Sequence, residues 1–205
     1  SPVQSSLIAA RIRRLADETK TPVHAFVEDV AASGGYWLAC AADQIWADDS
    51  SILGSIGVIS AGFGFQDLIA RWGIERRVHT AGRSKSTLDP FRPERPEDVE
   101  RLHNVLEPIH QAFKDHVTAR RGPRLAADRD LFTGEFWAGR QAVDLGLADG
   151  IAHLVPQMKA FYGDKTRFVV HAPRQSLFRR LGLSAGTVLD AAQERAAFAR
   201  FGAGG

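Results

Sequence analysis

Cysteine, methionine and long apolar runs are scarce in this chain of 205 residues. A single cysteine, Cys40, excludes an intramolecular disulfide framework and a zinc ribbon, both of which need several thiols. No stretch reaches the roughly 18 consecutive apolar residues that mark a helix spanning a bilayer. The formal net charge is only +2, which argues against a dedicated nucleic-acid-binding protein. The 44% of hydrophobic and 24% of charged residues are the ordinary balance of a globular domain.

Lysine is also scarce, with five lysines against 21 arginines. Arginine stays protonated in proteins, whereas a lysine whose pKa is lowered can act as a general base. Lys85 lies in the segment Gly-Arg-Ser-Lys-Ser, within a stretch of turn-forming residues (80–96) that holds three prolines. Long loops inside a domain are often functional. A solvated loop lysine is the competing interpretation.

Apolar runs that alternate with helical patterns predict an α/β fold with parallel strands. The predicted helices cover residues 2–19, 35–42, 65–72, 97–121, 139–145 and 153–161. The predicted strands cover residues 23–27, 44–47, 50–60, 74–79, 132–137 and 167–171. We expect Pro108 to kink or break the long helix. The first helix has an apolar face with helical spacing, made of Val3, Leu7, Ile8, Ile12 and Leu15.

Ser33 stands between a predicted strand and an apolar helix, in the sequence Ala-Ala-Ser-Gly-Gly. A serine at such a turn can direct its hydroxyl away from the sheet as a nucleophile. The N–H groups of Gly34 and Gly35 would have no helical acceptor and could stabilise an oxyanion. The commoner role of a serine before a helix is to cap it, and both interpretations stay open here. The seven histidines show no triad context and no metal-ligand spacing.

Four segments, in the same order, resemble the signal peptide peptidase A family of serine peptidases. They are residues 31–36 (AASGGY), 54–58 (GSIGV), 82–91 (GRSKSTLDPF) and 133–150 (TGEFWAGRQAVDLGLADG). The resemblance implies the ClpP/crotonase fold, a superhelix of repeated β-β-α units with outer helices, here without its N-terminal strands. It implies an incomplete peptidase domain over residues 1–172. Residues 173–205 are expected to form a helical extension with a tail rich in Ala and Gly.

The resemblance also assigns roles to single residues. It implies that Ser33 is the nucleophile, that Lys85 is the general base of a Ser–Lys dyad, and that Gly34 is a backbone oxyanion donor. Ser55 and Gly57 fall in the motif beside the substrate groove. No metal and no cofactor is implied. Three further motif residues are expected to be structural, namely Glu135, Trp137 and Asp149.

The family's partners and location enter as further expectations. The resemblance implies hydrophobic peptide substrates, such as cleaved signal peptides, and a homo-oligomer in which Lys85 reaches the Ser33 of a neighbour. It implies a membrane-associated protein with an extracytoplasmic, periplasmic catalytic domain, with membrane contact through a segment upstream of this chain; a cytoplasmic location stays open. Family members carry Ser-Pro-Gly-Gly just upstream of the first helix, whereas this chain opens with Ser-Pro-Val-Gln. We therefore expect half of the oxyanion hole to be missing.

Two other functions remain open for the same fold. One is a crotonase-like acyl-CoA enzyme, which would use two backbone amides as its oxyanion hole and carboxylates as acid and base. The other is a non-catalytic scaffold or partner protein. Seven apolar residues near the motifs suit either an apolar groove or a core, namely Ile52, Leu53, Ile56, Val58, Ile59, Phe63 and Phe65.

Overall fold

The computed structural model describes residues 1–171, so the predicted extension over residues 173–205 lies outside the described part. The chain divides into two units, Ser1–Asp164 and Lys165–Gly205. In the second unit, the described residues 165–171 form no helix or strand, so the strand predicted over 167–171 is wrong. Everything below concerns the first unit.

Helices and short strands alternate along the first unit, as predicted. The helices are α1 (Pro2–Thr19), α2 (Gly34–Ala39), α3 (Gln66–Arg71), α4 (Pro96–Arg121), α5 (Gly139–Asp144) and α6 (Leu154–Tyr162). The strands are β1 (His24–Val27), β2 (Val30–Ala32), β3 (Gln44–Ala47), β4 (Ile52–Gly54), β5 (Phe136–Ala138) and β6 (Gly150–Ile151). A 3-10 turn, Gly122–Arg124, follows α4.

The strands form two three-stranded sheets, and most of the pairs are parallel. One sheet has the order β1-β3-β6 and is parallel throughout. In the other, of order β2-β4-β5, β2 and β4 are parallel and β4 and β5 are antiparallel. Parallel strands joined through helices confirm the predicted α/β class. β2 and β6 were not predicted, because three and two residues are too short to show a period.

Three predicted extended segments differ from the structure inside this unit. The short extended piece predicted over residues 132–137 forms a strand only at Phe136–Ala138. The strand predicted over residues 50–60 is confined to Ile52–Gly54, after which the chain is irregular. The strand predicted over 74–79 does not form, and all of its residues but the half-buried Val78 are exposed. A segment of this kind forms a strand only when it pairs with another strand and packs against the core. In the described chain, residues 74–79 pair with no strand of either sheet.

Helix α1 ends as predicted but does not bury its predicted face. Its buried residues are Ser5, Ala9 and Ala16. Ile12 packs against the core only in part, and the other four apolar residues are between 44 and 63% exposed, namely Val3, Leu7, Ile8 and Leu15. The expectation that periodic large residues mark the core side is therefore wrong. The small residues face the core because α1 lies so close to α2 that only short side chains fit between them.

Helix α4 runs without interruption from Pro96 to Arg121, so the break predicted at Pro108 does not occur. Both ends of the helix are fixed. At its start, Asp98 is buried and accepts hydrogen bonds from two arginines. Beyond the proline, Phe113 and Val117 are in the core, with Phe113 stacked on the ring of Trp37 of α2.

The C-terminal end of α4 is fastened to the turn before β6 by a buried arginine. The Arg121 guanidinium donates to Gly146 O and to Asp149 Oδ2, the latter at 2.6 Å. Asp149 in turn accepts from the Ile45 N–H of β3 at 2.7 Å. Trp137 is also in the core. The structural roles expected of Trp137 and Asp149 fit these contacts.

Candidate active site

Ser33 occupies the sharp turn between β2 and α2 in a strained conformation. Its φ of 52° and ψ of −120° lie in a region that non-glycine residues rarely adopt. Its backbone N–H donates to Gly54 O at 2.8 Å, which ties the turn to the end of β4. The residue stands at the N-cap position, yet its side chain makes no capping hydrogen bond. The interpretation that the Ser33 side chain caps α2 is therefore wrong. Ser33 is exposed, and its hydroxyl is available for another role.

The Ser33 turn opens into a cavity of about 620 Å³. Of the residues singled out in the sequence, Ser33, Gly34, Ser55 and Gly57 all line it. The remaining lining residues are Ser1, Pro2, Trp37, Val58, Ile59, Ile109, Phe113, Thr133 and Gly134. The structure thus brings together the Ala-Ser-Gly-Gly and Gly-Ser-Ile-Gly-Val motifs, which lie about 20 residues apart in the sequence.

The loop after β4 is held by close backbone packing. A Cβ at Gly54 would lie 2.8 Å from the Trp137 ring, and Gly54 has a φ of 108°, so only glycine fits there. The Ser55 N–H donates to Glu135 O at 2.6 Å, although Ser55 itself has a positive φ of 52°. The Gly57 backbone lies close to Gly134. The Thr-Gly-Glu segment therefore supports this loop and forms part of the cavity wall.

Sequence reasoning missed several residues of the cavity. Thr133 and Gly134 were placed in a fold motif, whereas both line the cavity. Ile109 and Phe113 come from α4, and their spacing of four on one helix was the signal that could have indicated a shared face. His110, next to Ile109, has its Nε2 3.1 Å from Ile56 O, which fixes α4 against the loop after β4.

His116 belongs to the support of α2 rather than to the cavity. Its Nε2 lies 3.0 Å from Trp37 O and its ring stacks on the indole at 4.9 Å between centroids. Burial lowers the pKa of His116 below its usual value, so the ring is neutral at pH 7. In the core beside α2, burial raises the pKa of Cys40 to about 12, so this thiol is not a nucleophile.

Lys85 does not join Ser33 within the described chain. It is exposed, lies in a turn whose Lys85 N–H donates to Gly82 O, and does not line the cavity. Its amine makes no hydrogen bond or ion pair with any residue in the range 1–171. The dyad that the sequence predicts is thus split between a cavity and an exposed turn.

Residues 59–95, which carry Lys85 and are called here the lysine segment, contain no buried residue. Helix α3 lies within this segment. Large apolar side chains are exposed along it, among them Ile59, Phe63, Leu68, Trp72 and Ile74. The sequence left open whether several apolar residues near the motifs form a groove or a core. Leu53 and Ile56 are in the core, whereas Val58 and Ile59 line the cavity. Phe63 is 80% exposed.

The described residues form neither a metal-binding cluster nor a membrane-spanning helix. Within residues 1–171, no group of three or more His, Cys, Asp or Glu side chains is arranged to hold a metal ion. No helix in the same range is long and apolar enough to cross a bilayer.

The chain is similar to several known proteins along most of its length. It is 47% identical to a protein named Na(+)/H(+) antiporter NhaA of Brucella melitensis, over 98% of this chain and 30% of that protein. It is 34% identical to the chloroplastic serine protease SPPA of Arabidopsis thaliana, over 73% of this chain and 22% of that protein. It is 36% identical to the probable protease SohB of Haemophilus influenzae, over 62% of this chain and 35% of that protein. The chain thus spans about a third or less of the length of these relatives.

A solved structure, a putative enoyl-CoA hydratase of Mycobacterium avium paratuberculosis, matches with 20% identity and a TM-score of 0.41, over 81% of this chain and 49% of that one. The family model described as Peptidase family S49 matches residues 16–159. That range contains the Ser33 turn, the loop after β4, the lysine segment and the Thr-Gly-Glu segment. The chain therefore belongs to peptidase family S49.

Proposed function

We propose that this chain provides the catalytic residues of a serine peptidase, with Ser33 as nucleophile and Lys85 as general base. One observation carries the proposal: Ser33 lies on a strained strand-to-helix turn with its hydroxyl uncapped and facing a cavity. Backbone strain of this kind persists only where the surroundings enforce it, and it clusters at reactive residues. A serine nucleophile on a sharp strand-to-helix turn is also the arrangement of other hydrolases.

The proposed reaction uses the cavity as follows. Neutral Lys85 takes the proton of the Ser33 hydroxyl as its oxygen attacks a peptide carbonyl, and the Gly34 N–H donates to the oxyanion that forms. The proton then passes to the leaving amine, and the acyl-enzyme is hydrolysed by a water that Lys85 deprotonates. Apolar side chains dominate the walls beside Ser33, so the substrates we propose are hydrophobic peptides, cleaved signal peptides among them.

We further propose that Lys85 completes the site of a second copy of the chain. Within one chain Lys85 is exposed and outside the cavity. The segment that carries it has no buried residue, and Trp72 and Phe63 are 76 and 80% exposed. Apolar surface of this kind is typical of a segment that packs on another protein. Such packing would also supply the desolvation that lowers the pKa of a lysine toward neutrality.

The two alternatives gain no support from the cavity. An acyl-CoA enzyme of the crotonase type needs carboxylates as acid and base, and no Asp or Glu lines the described cavity. A scaffold would have no use for a strained, uncapped serine. We propose no antiporter activity from the name of the Brucella relative, because the match covers only 30% of that protein.

The test is labelling of the full-length protein with a fluorophosphonate probe, with the modified residue located by mass spectrometry. We expect the probe to modify Ser33, and Lys85→Ala to slow the modification by at least about 10²-fold, the contribution of a general base. Lys20→Ala is the matched control, since Lys20 is also exposed and its side chain has no partner in the described chain. Modification of Ser33 at the wild-type rate in Lys85→Ala would exclude the dyad.

A further inference from the structure

No residue of the lysine segment is buried as a whole, but one side chain is covered by its neighbours, the carboxylate of Asp89, four residues after Lys85. The Asp89 side chain is only 5% exposed. Its Oδ1 accepts from the Phe91 N–H at 3.1 Å. Its Oδ2 accepts from Arg76 Nε at 3.3 Å and from the Ser86 hydroxyl at 3.4 Å. A single side chain therefore joins three parts of the segment that are up to 15 residues apart.

The contact with Ser86 matters because Ser86 directly follows Lys85. The Lys85 amine has no partner of its own within residues 1–171, so only its backbone turn fixes where it points. Inside that turn, the Lys85 N–H donates to Gly82 O and the Thr87 hydroxyl donates to Ser84 O. These bonds shape the turn, and the bond from Ser86 to Asp89 attaches it to the rest of the segment.

The backbone between Ser86 and Asp89 shows that this part of the turn is held firmly. Leu88 has a φ of 54°, a left-handed conformation that leucine rarely adopts. Such strain persists only where neighbouring contacts determine the backbone. On the far side of Asp89, the Pro90 carbonyl accepts from the Phe65 N–H at 2.6 Å, which joins the turn to the start of α3.

We infer that Asp89 is the positioning residue of the general base: its carboxylate fixes the turn that presents Lys85 to the Ser33 cavity. This inference rests on the proposed function. Asp89 does not line the Ser33 cavity, so we assign it no part in the chemical step itself. Its pairing with Arg76 also offsets a negative charge near Lys85, so the turn is held with little electrostatic cost to a neutral lysine.

Asp98 offers a matched control within the same region. Its side chain is 4% exposed, and it too is held by arginines, Arg95 and Arg101. It lies at the start of α4 on the wall of a pocket that Ser86 and Asp89 also line, but its side-chain hydrogen bonds go to Arg95 and Arg101 and not to the turn of residues 82–89. Asp89→Asn and Asp98→Asn thus remove the same charge from equally covered side chains. Only the first disturbs the attachment of the Lys85 turn, because the amide has one acceptor oxygen and cannot accept from Phe91 N–H on one side and from Arg76 and Ser86 on the other.

The experiment measures the rate at which a fluorophosphonate modifies Ser33 in the full-length protein, together with the final fraction modified. We expect Asp89→Asn to slow the reaction roughly 10- to 100-fold, as a displacement of about 1 Å does, with the final fraction unchanged. In a Lys85→Ala background the same substitution should have no further effect, because the group that it positions is gone. Asp98→Asn should leave the rate at the wild-type value.

Each other outcome is decisive. The positioning role is overturned if Asp89→Asn reacts at the wild-type rate, if it slows the reaction equally with and without Lys85, or if Asp98→Asn slows it as much. If Lys85→Ala itself reacts at the wild-type rate, the dyad fails, and the role of Asp89 fails with it. The two failures are therefore distinguishable.

Discussion

At the scale of single residues, Gly34 lies where a neighbouring side chain leaves little room for a Cβ. A Cβ at Gly34 would lie 2.6 Å from Ser5 Oγ of α1, closer than real Cβ atoms come to a neighbour. We expect Gly34→Ala to lower the free energy of unfolding by about 1–3 kcal/mol, the usual cost of overpacking. Urea unfolding measures it, with Gly35→Ala as the control, because nothing lies within 4 Å of a Cβ there.

If the Ser5 hydroxyl causes the loss of stability in Gly34→Ala, removing that hydroxyl should restore it. The hydroxyl of Ser5 has no hydrogen-bond partner in residues 1–171, and a Cβ at Gly34 would be an ordinary 3.7 Å from Ser5 Cβ. Ser5→Ala should therefore cost little alone and restore most of the stability lost in Gly34→Ala. Additive losses in the double variant would show that the contact with the Ser5 hydroxyl is not the cause of the loss.

Ser33 shows how far a local sequence motif can predict the role of one residue. The motif indicated two roles, cap and nucleophile, and the local pattern alone could not separate them. Whether the Ser33 side chain caps α2, and which φ the residue adopts, depends on the folded turn, where φ is 52°. In that turn the Ser33 N–H donates to Gly54 O, 21 residues away in the sequence. The capping role was excluded only by the folded structure, in which the Ser33 side chain makes no capping hydrogen bond.

At the scale of elements, a buried ion pair helps to hold the C-terminal end of α4 against the core. The Arg121 side chain is 2% exposed and pairs with Asp149 at 2.6 Å. Arg121→Ala would leave a partly buried carboxylate without its main partner, and we expect a loss of about 3–5 kcal/mol in the free energy of unfolding. The measurement is the midpoint of urea unfolding at constant slope.

Arg124 provides the comparison for that prediction. It also approaches Asp149, at 3.6 Å, but its side chain is 47% exposed. Exposed pairs contribute little, so Arg124→Ala should cost at most about 1 kcal/mol. Equal losses in the two variants would mean that burial of the Arg121 pair is not what fastens α4.

Element boundaries followed from the sequence where the pattern was long, and failed where it was short or ambiguous. The ends of α1, α4 and β3 were predicted within a residue, because capping residues, prolines and periodic apolar positions mark them. The buried face of α1 was not, since apolar periodicity identifies a stripe of large side chains but not whether another element covers it. In α1 the contact with α2 selects Ser5, Ala9 and Ala16 instead.

At the scale of the whole molecule, the Ser33 cavity and Lys85 lie in different environments. Ser33, Gly34, Ser55 and Gly57 were predicted from their motifs as one site, and all four line one cavity. Lys85 was predicted from the same kind of evidence, and the structure of one chain leaves it exposed. Contacts between copies have no local sequence pattern, so this part of the site could be expected only from the family resemblance.

A mixing experiment decides whether the dyad is shared. Ser33→Ala and Lys85→Ala chains should each be inactive alone on a hydrophobic peptide. If Lys85 of one copy serves Ser33 of another, differently tagged chains that are coexpressed should regain about a quarter of the wild-type rate as an unselected mixture. Copurification through both tags should raise that fraction, because it removes the oligomers made of one variant alone. A site is complete only where a chain with intact Ser33 meets a neighbour with intact Lys85, and random closed assembly gives that pairing at about one site in four. Copurified mixed oligomers that stay inactive would instead require Ser33 and Lys85 of one chain to meet, through a movement of the lysine segment toward its own cavity.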